Sequence, residues 1–191
     1  MSDLLHRIQF ADDQLAFKEL YEQKFFRLFQ FGLAFVRSRL IAEEIVNDTF
    51  LKLWNRRDKL NAIDNIDVYL YVSVKNASLN FLRRPAHKHI SLDEIDIEYL
   101  HIYTDPESVL VTSELQKMIG KAINSLPPRC KLVFKLIKED KLTYKQVAAI
   151  LGVSVKTVDT QLGIALRKLE YVLSPILDVP ASPSRTNITG K

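Results

Sequence analysis

The sequence predicts an all-α protein in which two small helical domains are joined by a flexible acidic linker. Apolar residues recur at spacings of three and four over most of the chain, which is the pattern of amphipathic helices. Five glycines among 191 residues, without long alternating runs of Val, Ile and Thr, argue against strands. An acidic stretch interrupts the periodicity, so we place the first domain at 1–85, the linker at 86–111, the second domain at 112–175 and a disordered tail at 176–191.

In the first domain, helix caps and apolar periodicity predict a series of helices. One long or two abutting helices are expected over residues 12–36, followed by helices over about 41–56 and over 66–84. Glu43 and Glu44 lie in the first turns of the 41–56 helix, where the helix dipole favours acids. The same acids would suit a surface offered to a partner protein. The polar segment before residue 66 has no regular period and is predicted to be an exposed loop.

The 66–84 helix has an apolar side and a polar side of unusual composition. The polar side combines an aromatic ring, amides and basic groups, namely Tyr69, Ser73, Asn76, Asn80, Arg83 and Arg84. Such a set suits unpaired nucleic acid, because rings stack on bases, amides bond base edges and arginines hold phosphates. A solvated helix face is the alternative that the pattern leaves open.

Charge is distributed unevenly between the linker and the second domain. Residues 86–111 carry one lysine and six acids, for a net charge of −5, whereas residues 112–175 carry a net charge of +6. A basic domain behind an acidic linker is what we expect of a DNA-binding module on a tether. Within this half, helices are predicted from Asp105 to about Asn124 and from the Pro127–Pro128 pair to near Lys141.

Residues 142–169 predict a helix-turn-helix. Thr143 and Gln146 form a capping box, Gly152 supplies a left-handed end to the first helix, and Ser154 can cap the second. Val153 is predicted to enter the core. The second helix has an inward apolar stripe, and its outward face is polar, with Lys156, Thr157, Asp159, Thr160, Gln161, Arg167 and Lys168. A plain helical hairpin is the alternative, but a polar outward face is typical of a helix that reads the major groove.

Several functional classes find little support in the sequence. Acids from Asp3 onward and the lack of an uninterrupted apolar run predict neither a signal peptide nor membrane insertion. The single cysteine, Cys130, fits a reducing cytoplasm, where we expect the protein to act. His87 and His89 have no cysteine nearby, so no metal site is predicted. No catalytic cluster or glycine-rich phosphate loop stands out, so we predict no catalytic residue, no cofactor and no enzyme activity.

Three segments resemble the extracytoplasmic-function sigma factors, which are specificity subunits of bacterial RNA polymerase. AEEIVNDTFLKLW at 42–54 resembles the polymerase-binding helix of that family, and YLYVSVKNASLNFLRR at 69–84 resembles its promoter-melting helix. SLPPRCKLVFKL at 125–136, followed by LTYKQVAAILGVSVKTV at 142–158, resembles its second domain. The likeness covers about residues 12–172 and implies an all-helical protein that binds core RNA polymerase and two promoter elements.

The resemblance implies roles for particular residues. The helix that docks on the clamp coiled coil of the largest polymerase subunit would include Glu43, Glu44, Asn47, Phe50, Leu53 and Trp54. The loop from Asn55 to Asn65, including Asn61, would hold a flipped-out base of the minus-10 element. The melted or upstream part of that element would be lined by Tyr69, Lys75, Asn76, Asn80, Arg83 and Arg84. The minus-35 element would be read by Lys156, Thr157, Asp159, Thr160 and Gln161, with flanking basic groups at Arg129, Lys131, Lys145 and Lys168.

The sequence also departs from the family pattern. Tyr69 stands where the family usually has a tryptophan, and Asn80 where it has an aspartate. Asp159 and Ile164 occupy positions of the recognition helix that are often basic. Because a carboxylate can accept only from base donors such as cytosine N4, Asp159 is expected to alter which minus-35 sequence is read.

The length of the linker fits the two-element promoter that the resemblance implies. A segment of 26 residues spans at most roughly 85 to 95 Å when extended. Two elements about 17 base pairs apart are separated by about 60 Å. The resemblance further implies an anti-sigma factor as a partner. Two other functions stay open on the sequence, namely a stand-alone helix-turn-helix regulator and a helical interaction protein of the anti-sigma type.

Overall fold

The protein is all-helical over the residues described by a computed structural model, 2–84 and 113–177. Its elements are α1 (Ser2–Ala11), α2 (Gln14–Val36), α3 (Arg39–Asn55), a 3-10 helix (Arg57–Ala62), α4 (Ile66–Leu82), α5 (Ser113–Asn124), α6 (Pro128–Lys138), α7 (Tyr144–Leu151) and α8 (Val155–Leu177). No strand occurs in these two ranges. The predicted all-α class is confirmed.

The first domain is built around α2, which packs against α3 and α4. Side-chain caps start these helices: Asp13 accepts from the Leu15 and Ala16 amides, Ser38 caps α3, and Asn65 caps α4. Close packing requires a small residue on α2, since a Cβ added at Gly32 would lie 3.2 Å from Cγ1 of Val74. The core between the helices is filled by Leu20, Leu28, Phe31, Val46, Phe50, Leu53, Leu70 and Val74, all nearly inaccessible to solvent.

Helix α1 precedes the segment in which the sequence predicts helices. Its fully buried Ile8 belongs to the core of the first domain, and the helix packs against both α2 and the 3-10 helix. Polar contacts fix it further: Arg7 donates to Asp13 at 2.7 Å, and Gln9 Nε2 donates to the Asp58 carbonyl oxygen at 2.9 Å. The helix is therefore held by tertiary contacts with residues distant in sequence.

The second domain is formed by α5–α8, and two of its predicted boundaries need correction. Helix α6 ends at Lys138, earlier than predicted. Helix α8 continues to Leu177, two residues into the predicted tail. The helix predicted from Asp105 is described only from Ser113, and the predicted linker, 86–111, lies outside the described residues.

The two domains contact each other through α4 and α7. Apolar residues of α6 and α7, such as Leu136, Val147 and Ile150, belong to the same core cluster as Leu70 and Val74 of the first domain. A smaller cluster joins α5, α6 and α8 around Cys130 and Ala165. The residues predicted to bind DNA thus lie on two domains that pack against each other.

Among the described helices, no single one is long and apolar enough to cross a membrane. Helix α7 and residues 155–174 together reach that length and apolar content, but the two segments are bent by 106° relative to each other.

Candidate nucleic-acid interface

The predicted helix-turn-helix is present, with its local signals in place. Thr143 Oγ1 accepts from the Gln146 amide at 3.3 Å, and Gln146 Oε1 accepts from the Thr143 amide at 2.7 Å, which completes the capping box. Gly152 has a φ of 73°, the left-handed conformation that ends α7. Ser154 Oγ accepts from the Thr157 amide at 3.0 Å and caps α8.

The prediction that Val153 enters the core is wrong. Its side chain is 41% exposed and directly follows the left-handed turn at Gly152. Ile150 and Val158 are fully buried and provide the apolar contact between α7 and α8. Val158 lies in the inward apolar stripe that the sequence predicts for the second helix.

The first two turns of α8 present a polar surface. Lys156, Thr157, Asp159 and Thr160 are exposed, while Gln161 is half-buried. The two threonine hydroxyls bond locally, with Thr157 Oγ1 2.8 Å from Ser154 Oγ and Thr160 Oγ1 donating to the Lys156 carbonyl at 2.9 Å. The groups that reach outward with the most freedom are therefore the Lys156 ammonium and the Asp159 carboxylate.

Gln161 is tied to the buried cysteine. Cys130 Sγ donates to Gln161 Oε1 at 3.0 Å. Burial raises the pKa of the Cys130 thiol, so the thiol stays protonated and can act as this donor. The amide of Gln161 is oriented by this contact beside the exposed face of α8.

The basic groups that flank α8 fall into two classes. Arg129, Lys145 and Lys168 are exposed, and Lys168 Nζ also donates to the Ser125 carbonyl at 2.5 Å. Lys131 is only 2% exposed, so the prediction that it supplies a surface charge is wrong. Its position one turn before Lys135, which is also buried, places it on the inward side of α6.

Helix α4 presents its predicted polar side unevenly. Asn76, Asn80, Arg83 and Arg84 are exposed towards its C-terminal end, where the Arg84 guanidinium lies 5.5 Å from the centre of the Phe81 ring. Tyr69 is half-buried. The exposed set forms a mixed amide and arginine surface at one end of the helix.

Lys75 differs from the other predicted residues of α4. It is half-buried, and its Nζ donates to the Ile150 carbonyl of α7 at 2.5 Å. Burial lowers the pKa of its ammonium. In this arrangement Lys75 contacts the second domain rather than solvent.

The segment from Asn55 to Asn65 is more ordered than the loop that the sequence predicts. Residues 57–62 form the 3-10 helix, because Leu60 is anchored in the core and the chain turns tightly on either side of it. Asn55, Asn61 and Asn65 are all exposed. Asn65 Oδ1 accepts from the Val68 amide at 3.0 Å, which leaves its amide nitrogen facing outward.

The outer face of α3 is acidic and open. Glu43, Glu44 and Asn47 are exposed, and Asn47 Oδ1 accepts from the Tyr21 hydroxyl at 2.8 Å. Burial and the nearby Glu43 carboxylate raise the pKa of Tyr21, so its hydroxyl remains a donor. Half-buried Trp54 lies at the end of this face, with its ring 4.9 Å from that of Phe17.

Phe50 and Leu53 do not belong to this outer face. Their side chains are 2% and 1% exposed and pack in the core of the first domain, because they lie on the side of α3 that faces α2. Their predicted role as direct contacts for polymerase is therefore wrong for this structure. Leu51, which was not predicted, is 57% exposed between the acids and Trp54.

Comparison with known proteins identifies both domains. The model of sigma-70 region 2 matches residues 20–87, and the model of sigma-70 region 4 matches residues 116–169. The ECF RNA polymerase sigma-E factors of Escherichia coli K12 and Salmonella typhimurium LT2 are each 26% identical over 188 residues, which cover 91% of this chain and 94% of theirs. The chain is an extracytoplasmic-function sigma factor of the sigma-70 family.

Two solved structures share the fold of this sigma factor. The sigma factor RpoE of Bartonella quintana, in complex with the anti-sigma factor NepR, has a TM-score of 0.56 at 20% identity and covers 83% of this chain and 96% of its own. CnrH, in complex with the cytosolic domain of CnrY, has a TM-score of 0.53 at 21% identity and covers 92% and 95%.

Membership of this family settles the general function. The protein is an alternative sigma factor that directs promoter-specific transcription. Sigma factors are in general regulatory, DNA-binding subunits of RNA polymerase. Among the described residues, no group of three or more His, Cys, Asp or Glu side chains is placed to hold a metal ion.

Residues of the sigma factor that were not predicted form a polar contact between its domains. The Tyr71 hydroxyl donates to Asp140 Oδ2 at 2.6 Å, and Arg27 Nε lies 3.6 Å from Asp140 Oδ1. Burial strongly raises the pKa of Tyr71, and it also raises the pKa of Asp140. Sequence alone gave little signal for this pair, since Tyr71 sits among apolar residues and Asp140 follows the end of α6.

A cleft also lies between α4 and the helix-turn-helix. It has a volume of about 250 Å³. Lys75 and Leu79 lie on one side, and Arg129, Thr157 and Gln161 on the other. Residues assigned to the minus-10 element and residues assigned to the minus-35 element therefore face the same cleft.

Proposed function

We propose that this sigma factor divides promoter recognition among three surfaces. The outer face of α3 binds core RNA polymerase, α4 and the 3-10 helix bind and melt the minus-10 element, and the start of α8 reads the minus-35 element. The observation that carries the proposal is the exposed polar set of Lys156, Thr157, Asp159 and Thr160 at the start of the recognition helix, which Ser154 caps. The protein itself performs no catalysis.

The polymerase surface combines acids with an apolar end. Glu43, Glu44 and Asn47 supply exposed acceptors, and Leu51 and Trp54 supply the apolar area that protein interfaces place at their centre. Phe50 and Leu53 support this face from the core by fixing α3 against α2.

The minus-10 surface suits unpaired bases. Extruding a base costs a few kcal/mol of stacking and pairing, so a preformed surface with basic anchors is needed to hold it. Asn55, Asn61 and Asn65 offer amides to base edges, and the exposed end of α4 offers Asn76, Asn80, Arg83 and Arg84. Tyr69 beside them is half-buried, so only part of its side chain is available to a base.

The minus-35 surface is less basic than is usual for a recognition helix. Asp159 can accept a hydrogen bond from cytosine N4 but repels phosphates. Arg129, Lys145 and Lys168 are exposed around α8 and supply the phosphate contacts that position the helix. Exchanging Asp159 for Arg should therefore shift the preferred minus-35 sequence, and unchanged selectivity across a promoter library would refute a base-reading role.

Promoter binding on these terms requires the two domains to separate. Lys75 and Thr157 line a single cleft of about 250 Å³, while the two promoter elements lie about 60 Å apart along the duplex. With the domains packed together in this way, Lys75 cannot contact the minus-10 element while Thr157 contacts the minus-35 element. Opening breaks the contacts of Lys75 with Ile150 and of Tyr71 with Asp140, and a linker of 26 residues is long enough to allow it.

An inhibitory partner is part of the proposal. Both structural neighbours are complexes, one with an anti-sigma factor and the other with the cytosolic domain of CnrY. We infer that an anti-sigma factor also binds this protein. Because the target of the sigma factor is promoter DNA bound by polymerase, the sigma factor acts in the bacterial cytoplasm.

The decisive experiment is run-off transcription with purified core polymerase on a genomic promoter library. The sigma factor should direct initiation from a restricted set of promoters only when it is mixed with core enzyme. A stand-alone regulator would instead bind its operator without polymerase. An interaction protein of the anti-sigma type would bind another sigma factor and fail to stimulate core transcription, and either result would overturn the proposal.

A further inference from the structure

Helix α1 forms one side of an open groove in the first domain. The other side is the 3-10 helix and the turn that leads into α4, and the groove has a volume of about 570 Å³. Helix α1 contributes His6, Gln9 and Phe10, and the opposite side contributes Asn61, Asp64 and Asn65. The segment proposed to hold a minus-10 base is therefore only half of this groove.

The α1 side of the groove is held in place from several directions. Gln9 Nε2 donates to the Asp58 carbonyl of the 3-10 helix at 2.9 Å, and Ile8 is fully buried in the core of the first domain. At the end of the helix, Arg7 pairs with Asp13, and Asp12 pairs with Arg57. Arg57 in turn lies 4.6 Å from the centre of the Trp54 ring. These contacts join α1, α2, α3 and the 3-10 helix, so the groove is preformed.

The aromatic side chains on α1 are exposed although the helix is fixed. Phe10 is 66% exposed. The centre of its ring lies 4.7 Å from the centre of the His6 ring, and the two ring planes are inclined by 45°. Exposed rings beside a groove give a flat apolar surface on which a nucleobase can stack, whatever its identity.

The opposite side of the groove offers hydrogen-bonding groups instead of rings. The amides of Asn61 and Asn65 and the carboxylate of Asp64 are exposed there and can bond the edge of a base. Within the described part of the chain, neither lysine nor arginine lines the groove, and Asp64 and Asp67 do. Asp67 is paired with Lys24 at 2.6 Å, but the carboxylate of Asp64 is exposed and repels a phosphate, so the groove suits the base of a nucleotide better than its backbone.

We propose that α1 supplies the second wall of the minus-10 base pocket. One unpaired nucleobase stacks on the His6 and Phe10 rings, and Asn61, Asp64 and Asn65 bond its edge. This inference rests on the proposed function of the 3-10 segment and adds two base-stacking residues from a helix that precedes both matched sigma-70 regions.

The test measures binding of holoenzyme, formed from full-length protein and core polymerase, to a fork-junction DNA. The non-template strand of this DNA is single-stranded across the minus-10 element, and one base at a time is replaced by an abasic site. Wild-type holoenzyme should lose affinity most at the position of the captured base. Phe10→Ala should weaken binding of the intact fork about tenfold, within the range for loss of one stacked base.

The losses of affinity caused by Phe10→Ala and by the abasic site at the captured base should not be additive. With Phe10→Ala, removing the captured base should cost little more, because the base has already lost its stacking partner. His6→Ala should behave in the same way with a smaller loss, and Phe10→Tyr, which keeps a ring, should restore most of the affinity. The matched control is Leu15→Ala, since Leu15 is 75% exposed on α2 and lies outside the groove.

Core binding and helical content of each variant are measured first, so that loss of α1 is not mistaken for loss of stacking. Additive losses at every abasic position, or an affinity for Phe10→Ala equal to that for Leu15→Ala, would overturn the inference. Those outcomes leave wild-type sensitivity to the captured base intact. A wild-type holoenzyme that is indifferent to every abasic site would instead contradict the proposed minus-10 function, and the inference with it.

Discussion

The outer face of α3 and the side of α4 that meets α7 are both assigned to binding, but they differ in what covers them. Glu43, Glu44 and Asn47 are exposed on α3. On α4, Tyr71 is buried against Asp140, and Lys75 bonds the Ile150 carbonyl. The face proposed for polymerase is therefore ready in this arrangement, whereas part of the face proposed for DNA is occupied by the protein itself. We therefore expect polymerase to bind before the domains open, and promoter melting to follow their opening.

The largest effect should come from reversing charge on the open face of α3. Glu43→Lys combined with Glu44→Lys should weaken core binding about 30-fold or more, equivalent to about 2 kcal/mol, because two acceptors become repelling cations. Fluorescence anisotropy of labelled sigma factor titrated with core polymerase measures the change. The same reversal at Glu19 and Glu22, which are exposed on α2, is the control, and equal losses in both pairs would contradict the assignment of α3.

The exposed end of α4 provides the second comparison, because it differs from Lys75 on the same helix. Arg83→Ala with Arg84→Ala should reduce open-complex formation about tenfold and lower the salt dependence, since two phosphate contacts are lost. Core binding should be unchanged. Permanganate reactivity of promoter thymines at several salt concentrations reports opening. Equal loss of opening and of core binding would refute a role in DNA contact for this end of the helix.

The third prediction concerns the covered side of α4. Tyr71→Phe removes the hydroxyl that donates to Asp140, and Arg27 remains as the partner of that carboxylate. A single hydrogen bond contributes about 1 kcal/mol net, so the ratio of closed to open protein should fall about fivefold. Energy transfer between probes on the two domains, in free protein, measures this ratio.

Thermal unfolding of Tyr71→Phe should show little loss of helix, since the ring still fills its place in the core. A matched variant is Tyr21→Phe, which removes the hydroxyl bond to Asn47 within the first domain and should leave the closed-to-open ratio unaltered. If Tyr71→Phe leaves the energy transfer unchanged as well, the Tyr71–Asp140 contact does not hold the domains together.

Sequence reasoning succeeded where structure is local. The capping box at Thr143, the left-handed Gly152 and the Ser154 cap each depend on residues within a few positions, so their identities suffice to predict them. The apolar stripes likewise predicted most helices of both domains. Helix α1 escaped prediction because its stabilising partners, such as Asp58 for Gln9, lie far away in the chain.

The same limit explains the errors among the site residues. Periodicity shows that Phe50 and Leu53 are apolar, but it does not show that α2 covers them, and the family resemblance names a docking helix rather than one of its faces. Lys131 is basic in sequence and buried in the fold. The bond between Tyr71 and Asp140 joins residues 69 positions apart, and no local pattern indicates such a pair.

The smallest predicted effect is a pH dependence of the domain contact, and its sign follows from Asp140. Burial raises the pKa of Asp140 above its ordinary value of 3.8, although Tyr71, Arg27 and Lys135 favour the charged form; Glu139 opposes them. An acid whose pKa is raised in the closed form stabilises that form most when the pH is below the acid's ordinary pKa. This stabilisation is lost as the pH rises through the raised pKa. Acidification from neutral pH should therefore shift free protein towards the closed form in the energy-transfer measurement. Asp140→Asn, which cannot ionise, should remove most of this shift, and a shift of opposite sign in the wild type would show that ionised Asp140, paired with Arg27, holds the domains instead.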